Sequence, residues 1–231
     1  MLAIIPARAG SRRVAGKNMR ELAGKPLVGH VAAAASEARR VTRTVLSSDF
    51  EAAIEYVGAA FPQIGILRRP AAISGDKADA RSYVLHALEY ELGRGAVYDA
   101  VAIVQPSSPF TTAADIDGTL ALLETSGCEG AASVRALEHD LHPGKLKRLN
   151  GARLEPYFEE ERGFAAHELD DVYVRNGSVY AVRVRDAGVE AVIPADCAGY
   201  VMPAERSVDI NDELDLAWAE FLLARAAGTK R

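Results

Sequence analysis

Residues 6–18, Pro-Ala-Arg-Ala-Gly-Ser-Arg-Arg-Val-Ala-Gly-Lys-Asn, concentrate the chemistry this sequence can offer. Arg8, Arg12, Arg13 and Lys17 share the stretch with Gly10 and Gly16, directly behind an apolar run of strand length. Glycine lets backbone N–H groups approach oxygens and the cations neutralise charge, so the stretch suits a polyphosphate. The nearest formal pattern is the P-loop, GxxxxGK[ST]. Two features break it: five residues separate Gly10 from Gly16, and Asn18 stands where a Mg²⁺-binding Ser or Thr belongs. GxGxxG is absent as well, which removes a dinucleotide-binding dehydrogenase. A plain basic surface turn is the competing reading.

Other candidates carry less. His139 and His142 are spaced for chelation on a helix, but Pro143 interrupts any such helix, leaving His142 a hydrogen-bonding or substrate-lining role. Residues 159–162 form a charge run that reads as a solvated face, because four consecutive side chains cannot converge on one ion. Cys128 and Cys197, far apart and without CxxC spacing, read as reduced structural thiols.

The elements that must hold the loop follow an alternation. Residues 1–5, 44–47, 65–68, 100–105 and 131–134 are short apolar runs of strand type, and 26–40, 51–60, 79–93 and 113–125 have the length and composition of helices. Such alternation predicts an α/β fold with a mostly parallel sheet and helices on both faces. The pattern gives way to charged, Gly- and Pro-interrupted sequence from about 139 to 175, an excursion from the sheet. A strand at 175–184, a short edge strand at 199–202 and a helix at 211–226 close the chain, with Leu214, Leu216, Ala217, Phe221 and Leu222 expected towards the core. No repeat interrupts this order, so 231 residues form a single domain. The formal charge of −5 argues against a nucleic-acid partner, and no membrane or export segment is apparent, so a cytoplasmic protein is expected.

IIPARAGSRRVAGKN resembles the signature loop of the acylneuraminate cytidylyltransferase family, the enzymes that make CMP-sialic acid, and more distantly the CMP-KDO synthetases. Matching segments continue in order: SSD at 47–49, RRPAAISGD at 68–76, QPSSP at 105–109, HPGK at 142–145, NGSVY at 176–180 and SVDINDELDL at 207–216. The resemblance implies a Rossmann-like sheet of nucleotide-diphospho-sugar transferase type and a homodimer whose excursion covers the partner's active site. It implies Mg²⁺-dependent transfer of CMP from CTP to an acidic sugar, with release of pyrophosphate. Carried over residue by residue, Lys17, Arg12 and Asp209 become the catalytic groups. Arg8, Ala9, Gly10, Ser11, Asn18, Arg69, Asp76 and Ala78 bind the nucleotide, and Gln105, Lys145, His167, Tyr173 and Asn176 bind the acceptor. Asp209 and Asn211 become the metal ligands.

Two departures bear on the chemistry. The family's metal motif has two aspartates two residues apart, but Asn211 follows Asp209 here, with Asp212 beside it as a substitute. The same string also suits helix capping by Asn211 or Asp212. Ala166 and His167 stand where an Arg-Gln pair is common in the family, and that Arg helps bind the sugar carboxylate. Arg162 and Arg175 are the nearby cations that can compensate. The acceptor is therefore an acylneuraminate, a related nonulosonic acid, or another acid of KDO or phosphonate type. A nucleotide-binding homologue with impaired turnover is the remaining alternative.

Overall fold

A computed structural model describes the chain apart from residues 11–13, 15, 76–77, 159–169, 187 and 229–231. Its strands are β1 (Leu2–Ala7), β2 (Glu21–Leu22), β3 (Lys25–Pro26), β4 (Arg43–Ser48), β5 (Gly65–Arg68), β6 (Ala100–Val104), β7 (Gly130–Ala136), β8 (Lys147–Asn150), β9 (Arg153–Pro156), β10 (Tyr173–Arg183) and β11 (Cys197–Val201). The helices are α1 (Leu27–Glu37), α2 (Glu51–Ala60), α3 (Ala80–Leu92), α4 (Ala113–Ser126) and α5 (Glu213–Gly228). Seven strands form one sheet in the order β11-β7-β10-β6-β1-β4-β5. β1 runs parallel to β4 and β6, and β4 to β5, while β10 runs antiparallel to both β6 and β7. The chain leaves β1 towards β4 in one direction and later returns to β6 on its other side. The carboxyl ends of β1 and β6 therefore flank a switch point, where open α/β sheets bind ligands.

Alternation along β1 divides the core. Ile5 and Ala7 pack with Val28, Val31, Ile116 and Leu120 on the face covered by α1, α2 and α4. Leu2 and Ile4 pack with Tyr83, Val84 and Leu88 of α3 on the other. Short β strands of nearly continuous apolar residues are what burial on both faces requires. Among the described residues no helix is long and apolar enough to cross a membrane.

Some boundaries differ from expectation for identifiable reasons. α1 stops at Glu37 rather than at residue 40, because the backbone N–H groups of Arg39 and Arg40 donate to the Asp117 carboxylate of α4 at 3.0 and 2.8 Å. The β2–β3 hairpin turns at Ala23 and Gly24, both with positive φ, and strands of two residues leave no alternation to read. Within the excursion, β8 and β9 form a separate hairpin with Leu149 opposite Leu154, both largely exposed.

The last helix turns Leu216 and Leu222 towards the core as expected, but leaves Leu214, Ala217 and Phe221 exposed. Leu216 and Ala219 are buried against Leu22, Leu27, Val208 and Ile210, with Leu222 and Leu223 packed beside them. Leu214 and Phe221 point outward, and Phe221 stacks on Trp218 with ring centroids 5.2 Å apart.

Candidate active site

The loop behind β1 is held by its neighbours at the carboxyl edge of the sheet. Ala9 N–H donates to Asp49 Oδ1 at 2.9 Å, and the buried Asn18 donates its amide to the Arg8 carbonyl at 2.9 Å. Gly16 takes φ of 61°, a left-handed conformation that turns the chain into the short 3₁₀ helix Lys17–Met19. Gly10 has open space around it, so no close approach within the chain demands a glycine there. Lys17 Nζ reaches 2.8 Å from the carbonyl oxygen of Ile210. That bond spans nearly the whole chain and brings the cationic loop to the residue beside Asp209.

Asp209 lies half-buried, pressed against the bulge in β10. Gly177 there has φ of +75°, and a Cβ on it would lie 3.3 Å from Asp209 Cγ, so both conformation and space select glycine. Asn211 donates its amide to Asp209 Oδ2 at 2.8 Å. Asp212 is engaged in capping. Its Oδ1 accepts from the N–H groups of Leu214 and Asp215, both at 3.0 Å, while Asp215 Oδ2 accepts from Asp212 and Asn211 at 3.1 and 2.7 Å. This is a reciprocal cap that satisfies the exposed amides at the start of α5. Among the described residues no three His, Cys, Asp or Glu side chains cluster as a metal cage. Asp209 thus keeps a half-buried carboxylate with the Asn211 amide nitrogen on its Oδ2.

On the other side of the switch point, Arg69 is buried, with its guanidinium donating to Ser47 Oγ and the Ser47 carbonyl at 3.2 and 2.8 Å. It lies 4.6 Å over the Tyr83 ring. Burial holds the Arg69 pKa below its ordinary value, and burial likewise pushes the Tyr83 hydroxyl up to about 12. The same hydroxyl hydrogen-bonds Gln105 at the end of β6. Arg69, Tyr83 and Gln105 thus form one chain linking the expected nucleotide side to the expected acceptor side.

A cleft of about 550 Å³ opens at the carboxyl end of β7 and along α5, lined among others by Arg135, Arg175, Asp209, Asp215, Trp218 and Leu222. Among the described residues neither Arg135 nor Arg175 has a carboxylate partner. Burial raises the Tyr180 pKa, with Arg175 opposing that shift and Asp209 adding to it, so both charges lie near this hydroxyl.

The expected site residues distribute unevenly. Arg8, Ala9, Asn18, Lys17, Arg69, Gln105, Asp209 and Asn211 gather at the carboxyl edge. Ala78 is exposed just ahead of α3. Asn176 does line the cleft, but its side chain is spent inside the protein: Oδ1 accepts from Ser133 Oγ and Ser178 N–H, and Nδ2 donates to Ser207 Oγ. Its direct contact with an acceptor is therefore replaced by an internal role. Lys145 pairs with Asp140 in the excursion at 3.3 Å, and Tyr173 opens β10 opposite Ala136; neither lines the cleft. Arg12, Ser11, Asp76 and His167 lie outside the described residues, as does Arg162. Tyr83, Arg135 and Trp218 were not readable as site residues: a tyrosine and a tryptophan at helical spacing look like core, and Arg135 looks like the polar end of a strand.

Known proteins resemble this chain in sequence and in fold. A cytidylyltransferase family model matches residues 2–220. The chain is 28% identical over 237 residues to the CMP-N,N′-diacetyllegionaminic acid synthase of Legionella pneumophila, covering 96% of each. It is 27% identical to the N-acylneuraminate cytidylyltransferase of Escherichia coli, covering 95% of this chain but only 51% of that enzyme. The fold superimposes on a CMP:2-keto-3-deoxy-manno-octonic acid synthetase complexed with CTP, with a TM-score of 0.68 at 17% identity over 97% of this chain and 98% of that one. With a phosphate-suited loop and an acidic segment meeting at the switch point, and with a family match spanning nearly every element, this chain belongs to the cytidylyltransferase family.

Proposed function

We propose that this protein transfers CMP from CTP to an acylneuraminate or related nonulosonic acid and releases pyrophosphate. One observation carries the reading: Lys17 Nζ sits 2.8 Å from the Ile210 carbonyl, so the cationic loop and the Asp209 segment face one space. In nucleotidyl transfer the acceptor oxygen meets the α-phosphorus while charge collects on the departing pyrophosphate, so catalysis is mainly positioning and cation clamping. Lys17 and Arg12 supply the protein's share of the clamp. Arg8, Ala9, Gly10, Ser11, Asn18, Arg69, Asp76 and Ala78 frame the nucleotide. Gln105 orients the acceptor's sugar ring, and the guanidinium of Arg175, with Arg135 beside it, receives the acceptor's carboxylate. The names of the Legionella and Escherichia relatives support an acceptor of this class.

Magnesium would be held by Asp209, with Asn211 as the second ligand beside it. Two protein oxygens with phosphate oxygens and water completing an octahedron is the usual manner of binding for this ion. When bound, it neutralises charge on the triphosphate. The protein acts as a homodimer in the cytoplasm. The exposed Leu149–Leu154 pair on the excursion's hairpin supports the dimer, because apolar side chains presented together rarely face water in a monomer; the two free cysteines suit a reducing compartment.

The test follows pyrophosphate release from CTP and Mg²⁺ with a panel of N-acetylneuraminic, N,N′-diacetyllegionaminic and pseudaminic acids, 3-deoxy-manno-octulosonate and a phosphonate. Release with a nonulosonic acid is expected. Release with only the last two moves the acceptor class. Asn211 favours one second reading, a homologue that binds nucleotide without turning it over; CTP binding with no release for any acceptor would establish it. A protein that does not bind CTP sinks both.

A further inference from the structure

Two anchors hold the backbone immediately ahead of Asp209. The first is Arg206, whose Nη2 and Nε donate to the two carboxylate oxygens of Asp115 at 2.8 and 3.1 Å. Asp115 is fully buried at the start of α4, where it also closes a capping box with Thr112. Burial raises its pKa, but the bonds from Arg206 and Thr112 outweigh that and bring it below the ordinary value, so it stays ionised. The second anchor is Asn176, only 5% exposed. Its amide nitrogen donates to Ser207 Oγ at 2.9 Å while its oxygen accepts from Ser133 Oγ at 2.6 Å. Beyond Asp209, Ile210 N–H donates to the Ser107 carbonyl at 2.8 Å.

Burying a carboxylate against a guanidinium contributes little net stability compared with apolar packing, so such a pair is a poor device for merely closing a loop. A bidentate pair does fix direction, because both partners are planar and both bonds must be satisfied together. Here the direction fixed is that of residues 206 and 207, three and two positions ahead of the proposed metal carboxylate. Gly177, pressed against Asp209 from β10, limits it from the remaining side.

We infer that Arg206, through Asp115, and Ser207, through Asn176, are positioning residues that aim the Asp209 carboxylate at the metal–nucleotide complex. The inference rests on the proposed role of Asp209. Groups that orient a metal ligand without touching the ion typically change metal affinity about 10- to 100-fold when altered.

The experiment titrates Mn²⁺ against the protein with CTP and no acceptor, reading free Mn²⁺ by electron paramagnetic resonance and counting as protein binding only what exceeds a matched CTP solution without protein. Trp218, the sole tryptophan, lines the same cleft and gives a second signal by paramagnetic quenching. Arg206→Lys keeps the charge and loses the fork; Ser207→Ala removes one hydroxyl and leaves the buried pair intact, so it carries the test if Arg206→Lys does not fold. Both are expected to weaken Mn²⁺ binding by about tenfold or more, and to raise the Mg²⁺ needed for half-maximal pyrophosphate release to match. CTP affinity without metal should not move. Variants that fold and bind Mn²⁺ like the wild type, while Asp209→Asn abolishes binding, would overturn the positioning role and leave the site standing. Mn²⁺ binding that survives Asp209→Asn would overturn the metal site and this inference with it.

Discussion

At the scale of single residues, the site is a set of charges whose partners differ. Lys17 donates to the Ile210 carbonyl at 2.8 Å, which holds its ammonium where the cationic loop meets the Asp209 segment. Lys17→Ala should lower kcat/KM by about 10²- to 10³-fold, as losing one preorganised charge-stabilising donor typically does, with little change in Tm. Unchanged turnover would remove the loop from the mechanism. Arg175 lines the cleft with no carboxylate partner among the described residues, unlike Arg206, Arg43 or Arg185. Arg175→Gln should raise the acceptor KM by about 10- to 100-fold, the scale of a lost charge-assisted bond, while the KM for CTP stays put. The methyl ester of the acceptor offers a check: it should be used equally poorly by wild type and variant. Asn211→Asp exchanges an amide that donates to Asp209 at 2.8 Å for a second carboxylate. Without metal the two anions repel, so the variant should depend more steeply on Mg²⁺ and lose stability when the ion is chelated. A titration indistinguishable from wild type would limit position 211 to its contact with Asp209.

Elements place those charges. β1 and β6 end at the switch point, β10 carries a bulge that admits Asp209 beside Gly177, and α5 begins on a reciprocal Asp212–Asp215 cap. Because Asp212 serves the helix, Asp212→Ala should cost about 1 kcal/mol of stability, seen as a lower Tm, and leave the Mg²⁺ dependence of turnover where it was. A large shift in that dependence would make Asp212 a ligand after all. The capping role was one of two readings the string Asp-Ile-Asn-Asp allowed; only the backbone donors that face each carboxylate distinguish them.

The whole molecule raises the question of what meets the excursion. Leu149 and Leu154 stand as cross-strand neighbours on β8–β9 with roughly two-thirds of their surface exposed, at 68% and 71%. Burying such a pair in a subunit interface is worth about 1.5–3 kcal/mol per side chain, which a monomer forgoes. On the proposed dimer, Leu149→Asp with Leu154→Asp should therefore shift the protein to a monomer in light scattering behind size-exclusion chromatography, with the fold intact by circular dichroism. A wild-type protein that is already monomeric at micromolar concentration would refute the dimer.

Local pattern determined a good deal by itself. Apolar runs too short for helices and too continuous for one-sided strands could only be buried in a central sheet, and a loop with four cations and two glycines could only be a phosphate site or an idle turn. What no local pattern could report was distance in space. Residues 17 and 210 are far apart in sequence, and no periodicity reports that they touch. The same limit explains why Asn176 looked like a ligand and is an internal strut, and why α5 turned Leu214 and Phe221 outward. Side-chain period sets which residues share a face, but the rotation of that face is chosen by the surface it packs on, here Leu22, Leu27 and Ile210. Burial and hydrogen-bond satisfaction are properties of the assembled chain, and they alone decided which polar residues remain available for chemistry.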